Sequence, residues 1–178
     1  DSKEEVLEES RKIENLLKDF NPILDNRAEY SAGWKFNEWE LKGIPLRIEI
    51  GPKDLKKKQV ILVRRDNLKK QEIKIKDLKK QVKSILEAVQ NNLYSKAKKF
   101  LDSNIVKVKT FEELEKAIKS KKIGKALLCS SENCEDKIKE KLNGAKPILI
   151  PFEKENSIGK CIVCNKDTKV MVLIARSY

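Results

Sequence analysis

The sequence predicts an α/β chain of two domains, and three observations support this prediction. Its 178 residues are enough for one large domain or two small ones. Apolar residues recur at helical and then at strand spacing along the chain, which is typical of α/β folds. The pattern restarts near Asn104, so we place the domains at residues 1–104 and 105–178. We expect a mixed sheet flanked by helices, followed by a small α/β domain with a four-cysteine site.

Two amphipathic helices are expected to flank the first sheet. Apolar residues at roughly helical spacing predict the first over residues 3–19, and Asn21-Pro22 ends it. Residues 77–102 predict the second, because apolar side chains step by three and four from Leu78 to Leu101. Its lysines lie on other faces, and we interpret most of them as solvated surface.

Three segments of the first domain have the pattern of strands. Residues 46–50 alternate strictly, so their apolar side chains face the core while Arg47 and Glu49 point the other way. Residues 60–63 form a continuous apolar run, as in a strand covered on both faces. Residues 72–76 alternate again. The core side chains predicted from the first two segments are Leu46, Ile48, Ile50, Val60, Ile61, Leu62 and Val63.

The second domain repeats the alternation in shorter elements. Thr110 and Glu113 fit a capping box that opens a helix through about residue 121. Cys134 begins an apolar helical stripe that Asn143-Gly144 ends. Short strands are expected around residues 106–108, 126–128, 148–150 and 170–175.

Composition limits the possible functions. The chain has no histidine, which excludes Ser-His-Asp and Cys-His nucleophile systems and HExxH metalloproteases. It also lacks the GxxxxGK[ST] and GxGxxG phosphate-binding motifs, so we expect no catalytic residue in this chain. An excess of 40 Lys+Arg over 28 Asp+Glu gives a net charge of +12. That charge suits a polyanionic partner, and equally a proteome that favours lysine.

The sequence favours an intracellular, cytoplasmic protein with no membrane partner. No apolar run approaches the ~20 residues that span a bilayer. The first residues also lack the hydrophobic segment of a secretion signal.

Four cysteines in two close pairs favour a metal site in such a compartment, where thiols stay reduced. The pairs are Cys129-x4-Cys134 and Cys161-x2-Cys164, and the second resembles a zinc knuckle. Four thiolates at tetrahedral corners would hold one structural Zn²⁺ and leave no position open for water. Lys160 and Lys166 would offset the negative charge. The alternative is four reduced cysteines, two of them simply buried after strands.

The longest motif in the chain resembles a known family. Residues 33–54 have the sequence GWKFNEWELKGIPLRIEIGPKD, which is similar to the anticodon-binding signature of prolyl-tRNA synthetases. The likeness continues through residues 60–66. The archaeal and eukaryotic type of this family also has a C-terminal domain with paired cysteines and ends in tyrosine, as this chain does at Tyr178.

The resemblance implies what this chain does and what lies outside it. It implies the anticodon-binding domain of class IIa synthetases, in a ligase that joins proline to its tRNA using ATP and Mg²⁺. We expect the catalytic domain, which binds proline and ATP, upstream of this chain. We also expect the chain to start inside the anticodon-binding domain, without its usual first strand. The full enzyme is expected to be a homodimer. Tyr178 is expected to reach towards the active site.

Five residues match positions that contact the anticodon in the family: Phe36, Glu40, Arg47, Lys53 and Asp54. Proline anticodons have the form NGG. A carboxylate suits the two N–H donors of guanine, Arg or Lys suits its O6 and N7 acceptors, and an aromatic ring suits stacking. Trp34 and Trp39 are interpreted as packing residues.

Two other functions remain open from the sequence. One is a stand-alone RNA-binding or regulatory module that reuses the fold without catalysis. The other is a protein-interaction segment whose charge keeps it soluble. An upstream class II catalytic domain in the same reading frame would favour the synthetase.

Overall fold

A computed structural model describes residues 2–152 and 158–176 of the chain. It divides into two compact units, residues 1–96 and 97–178, and the division falls within a long helix. The boundary predicted after residue 104 coincides with the end of that helix and stays a prediction. Within the described residues, every helix is too short or too polar to cross a lipid bilayer.

The first unit contains three strands and the helices around them. The helices are α1 (Ser2–Leu16), α2 (Ala32–Leu41), α3 (Pro52–Lys56) and α4 (Leu78–Asn104), with 3-10 turns at Lys18–Phe20 and Ile75–Asp77. The strands are β1 (Leu46–Glu49), β2 (Gln59–Arg64) and β3 (Lys70–Lys74). They are antiparallel, in the order β1-β2-β3.

The core of the first unit is built as the hydrophobic pattern predicts. Val60, Leu62 and Val63 of the central strand are buried, and Ile61 is partly buried. Leu46, Ile48 and Ile50 are partly buried and pack against the core. The helices complete this core. α1 supplies Ile13, the segment between α1 and the first 3-10 turn supplies Leu17, and α4 supplies Leu78, Val82, Ile85 and Val89.

The apolar stripe of α4 is buried only in its first half. Leu93 and Leu101 fit the predicted stripe, but they are 42% and 51% exposed. Spacing defines which side chains share a helix face, whereas burial requires a second element against that face. A hydrogen-bonded ion pair fixes the start of the helix's second half instead: the buried carboxylate of Asp66 accepts from Arg64 (2.7 Å) and from the Asn92 amide.

The second unit contains a four-stranded sheet and a short hairpin. The strands of the sheet are β4 (Ile105–Lys107), β5 (Ile123–Leu127), β6 (Ala145–Leu149) and β9 (Met171–Arg176), and those of the hairpin are β7 (Gly159–Lys160) and β8 (Asp167–Thr168). The sheet order is β4-β5-β9-β6. β4 and β5 are parallel and the other pairs are antiparallel, so this sheet is mixed.

Two helices cover the core of the second unit. Thr110 caps α5 (Phe111–Lys119) as predicted, because its hydroxyl accepts from the Glu113 N–H at 3.2 Å, whereas the Glu113 carboxylate accepts from the Lys109 N–H at 2.7 Å in place of the Thr110 N–H of a complete capping box. α6 (Glu132–Lys141) contributes buried Cys134 and Ile138, and Asn143 and Gly144 adopt left-handed conformations after it. The predicted α/β class is therefore confirmed in both units, although the sequence analysis missed α2 and α3.

Leu62→Asp is expected to unfold the first unit. Leu62 is 1% exposed in the central strand, so the new carboxylate would be desolvated without a partner. We expect a loss of more than about 3 kcal/mol in unfolding free energy, measured by thermal or urea denaturation.

The matched control is Leu68→Asp. Leu68 is 63% exposed and has a φ of 58°, a conformation that aspartate tolerates. A wild-type unfolding transition in Leu62→Asp would contradict the assignment of β2 to the core.

Candidate nucleic-acid interface and metal centre

Arg47 is the centre of a polar cluster on the outward face of β1. Its Nε donates to Glu49 Oε1 at 2.9 Å, and its Nη1 donates to Glu40 Oε1. The guanidinium carbon lies 4.0 Å from the centre of the Phe36 ring. The structure thus brings together Phe36, Glu40 and Arg47, three of the five predicted anticodon residues, and we call them with Glu49 the Arg47 cluster.

The short helix α2 positions two members of this cluster. Phe36 and Glu40 are four residues apart, so they lie on one face of the helix. The Ser31 hydroxyl caps the helix by accepting from the Trp34 N–H at 3.3 Å. Helix geometry therefore explains why a ring and a carboxylate both reach Arg47.

The other two predicted residues lie on α3. Asp54 accepts a hydrogen bond from the Gly51 N–H at 3.0 Å, so this carboxylate caps its own helix. Lys53 is exposed and forms no hydrogen bond or ion pair within the described part of the chain. Neither residue is hydrogen-bonded to the Arg47 cluster there. They follow β1 after a two-residue link formed by Ile50 and Gly51.

Glu49 belongs to the cluster although it is not among the five residues predicted to contact the anticodon. The strict alternation of β1 placed it on the same face as Arg47, which was a sufficient signal. Its carboxylate is 17% exposed and also lies 3.8 Å from Lys70. Arg47 is therefore held between two carboxylates, and its guanidinium covers one face of Phe36.

A second network holds α2 in place around Asp25. The Asp25 carboxylate accepts from Arg27 Nη2 at 2.7 Å and from the Trp39 indole N–H at 2.8 Å. Lys35 donates to the Asp25 carbonyl at 3.3 Å. Arg27 also pairs with Glu38. The Arg27 hydrogen bond holds the pKa of Asp25 well below the ordinary carboxyl value, although burial opposes this.

The two tryptophans of α2 have different surroundings. Trp39 is anchored by Asp25, as expected of a packing residue, whereas Trp34 is 44% exposed and stacks on Tyr30 with ring centres 3.9 Å apart. Arg27 pairs with Asp25 and Glu38 because both acids are presented beside it.

All four cysteines come together in the second unit. Their sulfur atoms lie within 4.8 Å of one another, with Cys129 Sγ at 3.4 Å from Cys134 Sγ and 3.6 Å from Cys164 Sγ. Four sulfurs around Zn²⁺ would stand about 3.8 Å apart, given Zn–S bonds of about 2.3 Å. The set therefore fits a tetrahedral metal, and no pair is joined as a disulfide.

Three elements present these thiols. Cys129 follows β5, Cys134 is on α6, and Cys161 and Cys164 lie in the turn between β7 and β8. The turn is tied to β5 because the Ile162 N–H donates to the Leu127 carbonyl at 2.9 Å. Thr168 adds a hydrogen bond to the Leu128 carbonyl at 3.1 Å.

The electrostatics of the cysteine cluster favour one thiolate. Burial opposes ionisation of Cys161, but the backbone N–H groups of Cys129, Cys164 and Val163 outweigh it and lower its pKa to about 6. Burial raises the pKa of Cys134 to about 12. Lys160, expected to offset thiolate charge, is paired with Asp167 at 2.8 Å.

Tyr178 and the end of the chain lie outside the described residues, so its predicted approach to an active site stays a prediction.

Comparison with known proteins identifies both units. Residues 1–85 match the family model described as anticodon binding domain, and residues 111–178 match the one described as prolyl-tRNA synthetase, C-terminal. The chain carries the anticodon-binding and C-terminal domains of the prolyl-tRNA synthetase family. The resemblance found in residues 33–66 is confirmed at this level.

The relatives that the chain matches are longer than the chain itself. The chain is 43% identical over 178 residues to a proline–tRNA ligase of Alkaliphilus oremlandii, and 43% identical over 180 residues to one of Natranaerobius thermophilus. It is 39% identical over 177 residues to proline–tRNA ligase 2 of Bacillus cereus. These matches cover 99% of the chain but only 37% of each relative.

Asp25→Asn is expected to lower the stability of the first unit at neutral pH. The folded-state pKa of Asp25 is depressed, so its contribution is present above the ordinary carboxyl pKa and is lost as pH falls through the folded-state value. Both tryptophans lie in α2, so their fluorescence reports on this region during urea unfolding. We expect a lower urea midpoint for the variant at neutral pH and a smaller difference in acid.

Asp19→Asn serves as the control, because Asp19 pairs with Lys79 at a site where both side chains are at least 50% exposed. Equal midpoints for Asp25→Asn and wild type at neutral pH would show that the network does not hold α2.

Proposed function

We propose that this chain recognises the NGG anticodon of proline tRNA, within a ligase that joins proline to that tRNA using ATP. The Arg47 cluster carries the proposal, because it places an acidic acceptor, a cation and an aromatic ring together in an anticodon-binding domain. The ligases with which the chain aligns over 99% of its length support the reaction.

The chemistry of guanine fits this cluster. Glu40 is 38% exposed, so its carboxylate can accept the N–H donors of a guanine edge. Arg47 suits O6 and N7, and its guanidinium plane offers a stacking surface because it already covers one face of Phe36. Lys53 and Asp54 on α3 would contact the neighbouring nucleotide.

The alternative is a stand-alone RNA-binding or regulatory module with the same fold. It would use the same cluster without the rest of a ligase. The chain spans about 37% of the length of the relatives it matches. A reading frame that continues upstream into a class II catalytic domain would therefore exclude the stand-alone module.

Several properties of the whole enzyme follow from the proposal. Proline, ATP and Mg²⁺ would bind the catalytic domain, the enzyme would be a cytoplasmic homodimer, and Tyr178 would brace the active site. We further propose the archaeal/eukaryotic type of this family, which the C-terminal domain and its four cysteines support. The relatives named above come from bacteria, so they lend no support to that type.

We also propose one structural Zn²⁺ held by Cys129, Cys134, Cys161 and Cys164. The sulfur spacing and the low pKa of Cys161 support it. Bound metal would tie α6 and the β7–β8 hairpin to the end of β5. With four thiolate ligands it would serve structure and not catalysis.

Glu40→Ala and Arg47→Ala are each expected to weaken binding of proline tRNA by about 1–3 kcal/mol through lost guanine contacts. The measurement is the dissociation constant for proline tRNA and for a variant whose anticodon guanines are replaced. The variants should lose affinity mainly for the natural anticodon, so that their preference for it falls.

Glu72→Ala and Arg11→Ala match the charge changes at exposed positions outside the cluster. An equal deficit of the cluster variants on both tRNAs would mean that Glu40 and Arg47 serve structure or phosphate binding instead.

Protein prepared without chelator is expected to contain about one zinc per chain by elemental analysis. Cys161→Ser should lose the metal and melt at a lower temperature. Ser130→Ala should keep the metal and the wild-type melting temperature. Because Cys134 must lose a proton to bind, metal affinity should rise with pH. Absence of metal together with unchanged thermal stability in Cys161→Ser would refute the site.

A further inference from the structure

We propose that a groove lined by lysines at the end of α3 binds the phosphate backbone of the bound RNA. The groove is bordered by Lys57, Lys58, Lys74 and Lys76 and has a volume of about 710 Å³. We call it the lysine groove. The inference rests on the proposed function, because it names a second contact of the same RNA.

Local structure brings these lysines together from two segments. Lys57 and Lys58 follow α3, while Lys74 ends β3 and Lys76 lies in the 3-10 turn behind it. The Ile75 N–H donates to the Lys58 carbonyl at 3.1 Å, and Lys74 Nζ donates to the Lys57 carbonyl at 3.0 Å. The two sides of the groove are therefore tied together before any ligand binds.

The charge of the groove is not neutralised from within the described chain. None of the four lysines forms an ion pair among residues 2–152 and 158–176. The acidic residue in the lining is Glu9, and its carboxylate lies 3.3 Å from Lys12. Four lysines that line one groove without an ion-pair partner make its potential positive, which favours a polyanion.

Other exposed lysines of the chain show the contrast. Several sit within 3.3 Å of an acid, among them Lys79 with Asp19, Lys98 with Asp102 and Lys119 with Glu115. Such lysines have a local counter-charge and gain less from an external anion. Exposed lysines without an ion pair also occur elsewhere in the described chain, and the lysine groove is distinguished because four of them line one groove.

The position and floor of the groove fit a nucleic-acid strand. Leu55 and Ile75 add apolar surface to the lining, and a basic groove of this kind can follow a sugar-phosphate backbone. Lys57 is four residues beyond Lys53, which is one helical turn or about 6 Å along α3. A strand whose bases meet the start of α3 would place its next phosphates at the groove.

The test compares two triple variants of the full-length protein in binding to proline tRNA across a series of salt concentrations. The groove variant is Lys57→Gln, Lys58→Asn and Lys76→Gln. It keeps Lys74 and its hydrogen bond, and asparagine suits the left-handed conformation of Lys58. The control variant removes the same charge at exposed lysines of the second unit: Lys109→Asn, Lys137→Gln and Lys139→Gln. Both variants should melt at the wild-type temperature.

We expect the groove variant to bind about tenfold or more weakly at ~0.1 M salt, with the slope of log K against log salt reduced by about 2. The loss should be the same for tRNA with its anticodon guanines replaced, because phosphates carry no sequence. The control variant should lose little. Equal losses in both triple variants, or no loss in the groove variant, would overturn the proposal.

Two further measurements distinguish an RNA phosphate from a free nucleotide as the ligand of the groove, and distinguish failure of the groove proposal from failure of the proposed function. Wild-type protein that binds free ATP at the groove, with tRNA affinity unchanged in the groove variant, would overturn an RNA site in favour of a nucleotide site. A wild-type protein without preference for the guanine anticodon would refute the proposed function and leave a salt-dependent groove standing. The Glu40 and Arg47 variants could lose the guanine preference while the groove variant keeps wild-type tRNA affinity. That result would refute RNA binding at the groove and leave the proposed function standing.

Discussion

The pairing of β1 with β2 determines which side chains this domain presents on its outward face. Ile48 pairs with the buried Leu62, so the face that carries Leu46 and Ile48 must lie on the core. Arg47 and Glu49 are then forced to the opposite face, where α2 supplies Phe36 and Glu40. A slip of one residue would bury both charged groups and expose the apolar ones. The position of the Arg47 cluster therefore follows from hydrophobic burial in a neighbouring strand.

The helix that completes the cluster depends on polar contacts more than on a core. No residue of α2 is buried, and its apolar side chains form no continuous stripe. It is held by the Ser31 cap and by Asp25, which binds Arg27 and Trp39. The β7–β8 hairpin of the second unit likewise depends on contacts outside its own strands. Strands of two residues are too short to be stable alone. Hydrogen bonds to the end of β5 and the burial of Cys161 hold that hairpin in place.

The parts of the fold that the sequence predicted are those where burial leaves a periodic signal. The alternation of β1, the apolar run of β2 and the Thr110 cap each specify a local structure, and the two cysteine pairs specify a cluster. α2 was missed because glycine and two tryptophans interrupt helical periodicity and its contacts are polar. α3 has five residues, too few to show a period. The paired state of Arg47, and the use of Asp54 as a helix cap, depend on tertiary contacts that spacing does not encode.

Under the proposed function, the charge distribution would separate specificity for the RNA sequence from affinity for RNA in general. The Arg47 cluster sets two carboxylates, those of Glu40 and Glu49, against one guanidinium, so the cluster itself is not a strong attractant for a polyanion. Under the proposed function its acids would accept guanine N–H donors and penalise bases that present acceptors there. Attraction must then come from elsewhere on a chain with a net charge of +12. Lysines without local partners can supply this attraction equally for every RNA sequence. Discrimination between anticodon bases would then depend on a few fixed hydrogen bonds beside Phe36.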